Sequence, residues 1–133
     1  MTQTAWAHLP NAKHIDWVLA SVKEHPEKWD AAWGAAYYSA YSAAQSRAKA
    51  AARTAVWYAA RSVTWTITFY TAAPFTARSA ARGVLVALIT YDDCAYMIES
   101  EIDEIKILAK LGDQRALLLL PACIVYNETK VLV

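Results

Sequence analysis

An all-α helical bundle, with one long Ala-rich helix followed by three shorter ones, is the architecture that these 133 residues predict. Three observations lead there. The interval from Glu27 to Tyr58 is rich in alanine and free of proline. Apolar residues recur at helical spacing on both sides of it, around Ile15 and around Ile105. Residues that start and stop helices stand at the right places: Asn11, Gly112 and Asp113. The length suits a single domain, residues 1–133, with a core that needs no covalent staples.

The first element is a short amphipathic helix. Asn11 is placed to cap it, Pro10 and Pro26 bracket it, and Ile15, Val18, Leu19 and Val22 share its buried face. The Ala-rich helix comes next. Alanine forms helix readily because it has no side-chain entropy to lose. Ala32, Ala36, Ala40, Ala44, Ala48, Ala51, Ala55 and Ala59 make a seam of small residues along it, which lets another helix approach closely. Residues 62–70 stay open between strand and helix. Val63, Trp65, Ile67 and Phe69 alternate with Ser62, Thr64, Thr66 and Thr68, as in a half-buried strand. The Ala-rich helix that precedes them favours helix, and the only other strand-like run, GVLVALITY, fits a buried helix equally well.

Pro74 then breaks the chain, and Thr76 is placed to cap a helix running to about Glu99. Ile98, Ile102, Ile105 and Leu108 mark the apolar face of the next helix, with Glu101, Asp103, Glu104 and Lys106 toward water. Gly112 suits its C-terminal stop. Asp113 caps a short apolar helix, DQRALLLL, with an end expected near Pro121 and a loosely held tail from Asn127. Nothing repeats at a solenoid period.

Composition narrows the function classes. Hydrophobic residues make up 57% of the chain and charged residues 19%, with six Trp and eight Tyr. Such aromatic content fills gaps between small alanines or faces a partner. Trp33, Tyr37, Tyr41, Trp57 and Trp65 are the candidate interaction aromatics. The net charge of +1 gives no bulk attraction to nucleic acid or anionic membrane. Cys94 and Cys123 form no CxxC pair, which argues against a zinc site or disulfide framework and suits a reducing cytosol. The N-terminus has no basic region followed by an apolar core, so no signal peptide is expected. The uncharged stretches, 31–46 and 62–77, are shorter than a bilayer span, and no membrane association is expected.

Charge is segregated along the chain. Between Asp30 and Asp92 there is no acidic residue, but there are six cations: Arg47, Lys49, Arg53, Arg61, Arg78 and Arg82. From Asp92 to Asp113 seven carboxylates stand against two lysines. The plain reading is neutralisation inside the fold, the acidic helix packing beside the basic one. The alternatives are a charged surface for a protein partner and a nucleic-acid interface. The latter would use Arg47, Lys49, Arg53 and Arg61, with Tyr37, Tyr38, Tyr41, Trp57 and Trp65 to stack on bases.

Chemistry-bearing motifs are few. Asp92-Asp93-Cys94 lies in the apolar run TYDDCAYMI, where a helix would bury at least one carboxylate. A buried carboxylate needs a partner, so a structural ion pair with Arg53, Arg61, Arg78 or Arg82 is expected. Adjacent helical residues point about 100° apart, so the two aspartates make a poor acid–base pair. Cys94 would need His8, His14 or His25 beside it to act as a nucleophile, and a lone thiol in an apolar run belongs to a core. No serine elbow, phosphate-cradling glycine loop, HExxH or carboxylate–metal pattern is present. Neither a cofactor nor catalysis is expected.

The segments AAQSRAKAAARTAVWYAARS, ALITYDDCAYMI and LAKLGDQRALLLLPAC, within residues 43–123, carry a resemblance to small alanine-rich helical proteins encoded by bacteriophages and prophages. The resemblance brings no catalytic residues with it. It implies an accessory protein in the cytoplasm of a bacterial host cell that binds and blocks a host component. With the aromatic content and the alanine seam, it leads to the expectation of a non-catalytic, self-associating interaction protein.

Overall fold

In the computed structural model, which describes residues 6–35, 46–48, 50 and 75–129, all regular structure is helical. The fold is all-α. The elements are α1 (Ala12–Glu24), α2 (Pro26–Ala35), α3 (Phe75–Thr90), a 3-10 turn (Ala95–Glu99), α4 (Ile102–Lys110) and α5 (Gln114–Thr129). Residues 46–48 and 50 are helical too. The open question over residues 62–70 lies outside the described residues, as does most of the alanine seam. Ala32 and Ala48, which do fall inside, are both buried.

Two helices form the centre. Every residue of α3 from Gly83 to Ile89 is buried, and so is every residue of α5 from Ala116 to Cys123. A helix apolar on all sides must be enclosed by others, and α3 packs against α1, α2 and α5. The 3-10 turn and α4 pack on the remaining flank of α5. Ile15, Val18 and Val22 of α1 are wholly buried, with Leu19 beside them at partial exposure, as the spacing predicts. Trp29 of α2 is fully buried, and its indole N–H donates to Ser21 Oγ at 2.9 Å, which joins α2 to α1.

Local signals set several boundaries. Pro26 opens α2, where its missing N–H costs nothing. The chain leaves α4 through a Schellman turn: Gly112 N donates to Ala109 O at 3.1 Å and Asp113 N to Leu108 O at 3.0 Å. Gly112 has φ +93°, a conformation open to glycine and strained for other residues. Asp113 then caps α5, its Oδ1 accepting from Arg115 N at 2.9 Å and Ala116 N at 3.3 Å. On α4, Ile105 is buried and Glu101, Asp103, Glu104 and Lys106 are exposed, as the pattern predicts.

Three expectations need correction. First, α3 does not run to Glu99. It ends at Thr90, a turn holds Asp92 and Asp93, and Ala95–Glu99 is a separate 3-10 turn. Aspartate competes with the helix for its own backbone hydrogen bonds, and two in succession favour a break. Second, α5 does not end at Pro121 but passes through it to Thr129. An interior proline costs about 3 kcal/mol or more. The large side chains that α5 buries, Leu117 to Leu120 among them, each contribute roughly 1.5–3 kcal/mol and outweigh that cost. Third, Asn127 to Thr129 are not loose but belong to α5, and residues 130–133 lie outside the described residues. Asn127 Nδ2 donates to Ser100 O at 3.1 Å and to Cys123 O at 2.9 Å, and Thr129 Oγ1 donates to Val125 O at 2.8 Å.

Candidate functional site

Most of the residues singled out from the sequence lie outside the described residues. Arg47 is exposed. Lys49, Arg53, Arg61, Tyr37, Tyr38, Tyr41, Trp57 and Trp65 lie outside the described residues. Trp33 lies in α2. Arg78 and Arg82 stand one turn apart on α3 and are half-buried. Burial, then the charge of Arg78, lowers the Arg82 guanidinium from its ordinary value.

The aspartates differ from expectation as well. Asp92 and Asp93 are both exposed, because the helix stops before it would turn either one inward. Neither pairs with Arg78 or Arg82 among the described residues. Arg115 of α5 takes that part instead: its Nη1 stands 3.2 Å from Asp93 Oδ1 and its Nη2 3.4 Å from Asp113 Oδ2. The hydrogen bond to Asp113 and the nearby carboxylates hold the Arg115 guanidinium above its ordinary value against a small opposing effect of burial. Arg115 lies 22 residues along the chain from Asp93, too far for periodicity to have pointed to it.

Cys94 is fully buried, and its thiol donates to Tyr91 O at 3.2 Å and Ala87 O at 3.6 Å. Burial, then the negative charge of Asp93, pushes it up to about 12. It is a protonated thiol at neutral pH, and its role is to satisfy carbonyls at the end of α3. Among the described residues no group of three or more His, Cys, Asp or Glu side chains is placed to hold a metal ion. Among them, too, no helix is long and apolar enough to cross a membrane.

Two surface features take the place of the expected sites. The first is the outer face of α4. Ile107 is 58% exposed and Leu111, one turn on, is 78% exposed; Tyr96 of the 3-10 turn is 56% exposed. Glu101, Asp103 and Glu104 stand around the start of α4, exposed and with no ion pair among the described residues. The expected neutralisation of the acidic segment by the basic one rests in part on Lys49, Arg53 and Arg61, which lie outside the described residues. Among the described residues the margins of the acidic segment meet cations or a histidine: Asp93 and Asp113 pair with Arg115, and Glu99 stands 3.8 Å from His14.

The second feature is an open cleft of about 280 Å³ where α1, the 3-10 turn and α5 meet. It is lined by Lys13, His14, Trp17, Ile98, Glu99 and Tyr126. Trp17 is held from two sides, with ring centroids 6.2 Å from Trp29 and 5.7 Å from Tyr126, the latter edge-on. Across its mouth His14 Nε2 stands 3.8 Å from Glu99 Oε2. Sequence reasoning missed this cleft because its walls come from three elements far apart in the chain. The one local sign is that Trp17 stands beside the buried stripe of α1 rather than on it.

No protein-family model, curated protein or solved structure matches this chain.

Proposed function

We propose that this chain is a non-catalytic accessory protein of the kind bacteriophages encode, that it acts by protein–protein interaction on a host component, and that it associates with itself through α4. The observation that carries the self-association is the outer face of α4. Exposed Ile107 and Leu111 lie beside carboxylates that have no cation opposite them among the described residues. Apolar side chains rimmed by charge are the composition of a docking patch.

The occupant is a second copy of this chain. Arg47, in the basic stretch between Asp30 and Asp92, is exposed and opposite in sign to the carboxylates at 99–104. Contact between unlike segments of two copies joins these charges, and the apolar pair excludes water at its centre. The fully buried Cys94 thiol, held by carbonyls rather than by a base, supports the non-catalytic part of the reading.

Sedimentation of the purified chain over a range of concentrations tests this reading. The wild type is expected to associate, more weakly as salt rises. Ile107→Glu with Leu111→Glu is expected to give a folded monomer, whose unfolding midpoint matches the wild type's at concentrations where the wild type is itself dissociated, since both residues are on the surface. A wild type that stays monomeric, or a double variant that associates as well as the wild type, would exclude the α4 contact.

A further inference from the structure

The cleft between α1, the 3-10 turn and α5 has the parts of a small-molecule site, separate from the α4 face. Its floor is apolar and aromatic: Trp17, Ile98 and Tyr126. The floor is also rigid. Trp17 is wedged between Trp29 and Tyr126, and Trp29 is itself buried and tied to Ser21 at 2.9 Å. Rings held in place in advance lose little entropy when a ligand stacks on them. The volume, about 280 Å³, is near the lower end of ligand cavities, which begin at roughly 300 Å³. It suits one ring system with a short substituent.

The rim decides the charge of the ligand. Three ionisable side chains line it: Lys13, His14 and Glu99. His14 Nε2 faces the Glu99 carboxylate at 3.8 Å, which leaves Lys13 as the cation of the lining that no carboxylate faces among the described residues. Lys13 is exposed and makes no ion pair among the described residues. An ammonium beside an aromatic floor is complementary to a carboxylate carried on an aromatic ring. A neutral ring would leave that ammonium unused. A cationic ligand would meet the repulsion of Lys13.

We propose that this cleft binds a small aromatic carboxylate, with its ring against Trp17 and Tyr126 and its carboxylate on Lys13. The same chemistry occurs in a tryptophan beside a glutamate in a peptide, so the test separates the two sources. Indole-3-propionate, its uncharged amide and a capped Trp-Glu dipeptide are titrated into the full chain, followed by two-dimensional NMR of backbone and indole N–H groups. The expected result is saturable binding of indole-3-propionate at about 1 mM or below, with shifts at Trp17 and Tyr126. The amide is expected to bind at least about fivefold more weakly. Lys13→Glu, a change on the exposed side of α1, is expected to remove that preference for the acid while the spectrum of the free protein stays that of a folded chain.

No saturable binding of the acid would overturn the proposal. So would equal affinity for acid and amide, or shifts located away from the cleft. Binding of the dipeptide alone would overturn the small-molecule assignment and make the ligand a peptide. These outcomes are independent of the sedimentation result, since neither Ile107 nor Leu111 lines the cleft.

Discussion

The side-chain amide of Asn11 donates to Leu88 O at 2.9 Å, across 77 residues of chain, and to Tyr91 O at 3.0 Å. Asn11 sits at the cap position of α1, but its side chain makes no capping bond there; its backbone carbonyl accepts from His14 N and Ile15 N instead. The side chain serves the other end of another helix. It supplies donors to carbonyls that α3 leaves unpaired at its C-terminus, in a place water does not reach. The start of α1 is thereby fastened to the end of α3.

Asn11 therefore behaves as a donor, and its substitutions should rank accordingly. A capping role would accept aspartate as readily as asparagine. A donor role does not, because Asn11→Asp turns a carboxylate toward two carbonyl oxygens. Asn11→Ala is expected to cost about 2–3 kcal/mol, since it strands the buried Leu88 carbonyl and removes one of the two donors to Tyr91 O. Asn11→Asp should cost more than Asn11→Ala at neutral pH. Urea unfolding of the two variants gives the order, and an Asp variant as stable as the wild type would refute the donor role.

Gly112 allows a cleaner test, because a Cβ at that position would meet nothing within 4 Å. Any cost of substitution comes from the positive φ alone. Gly112→Ala is expected to lower stability by about 1–2 kcal/mol. Gly112→Asn should cost less, since asparagine tolerates the left-handed region better. Thermal unfolding of both variants should show that order.

Asp113 and Asp93 both touch Arg115, yet they should differ in effect. Asp113 accepts two backbone N–H groups of α5 and acts as a helix cap; Asp93 makes an ion pair with 79% of its side chain exposed. Asp113→Ala is expected to cost about 1 kcal/mol. Asp93→Ala should stay within about 0.5 kcal/mol, as solvent screening predicts for a surface pair. Equal losses in denaturant titrations would mean that the ion pair, not the cap, is what Arg115 contributes.

The Cys94 thiol, held up to about 12 in the folded chain, links stability to alkaline pH. The unfolded chain releases this proton near the ordinary thiol value, while the folded chain keeps it. Stability from this group is therefore full below about pH 8.5 and is lost as pH rises toward 12. Cys94→Ala should lose part of that alkaline sensitivity, as measured by unfolding from pH 8 to 10.5. In the native wild type at pH 8, both Cys94 and Cys123 are buried and should react with a thiol reagent only as fast as the chain opens.

Where information was local, the sequence was legible. The stripe Ile15, Val18 and Val22, the stop at Gly112 and the cap at Asp113 each depend on residues within a turn or two, and each stands where the pattern placed it. Pro121 misled because a local rule, that proline ends helices, was overridden by burial on all sides of α5. Asp92 and Asp93 misled in the opposite sense. An apolar neighbourhood promised burial, but the helix ended two residues earlier and the backbone turned both carboxylates outward.

By itself, then, the sequence determined the helical class, the amphipathic faces of α1 and α4, the start of α1, the stop of α4 and the cap of α5. Those properties follow from backbone geometry over a few residues, and side-chain chemistry expresses them directly. Only the tertiary structure decided that Asn11 would serve α3, that Arg115 rather than an arginine of the basic segment would meet Asp93, and that Lys13, Trp17, Glu99 and Tyr126 would share a cleft. Each of these joins groups that are far apart along the chain. Such pairings have no period to read, because they are set by how buried helices fill space around α3 and α5.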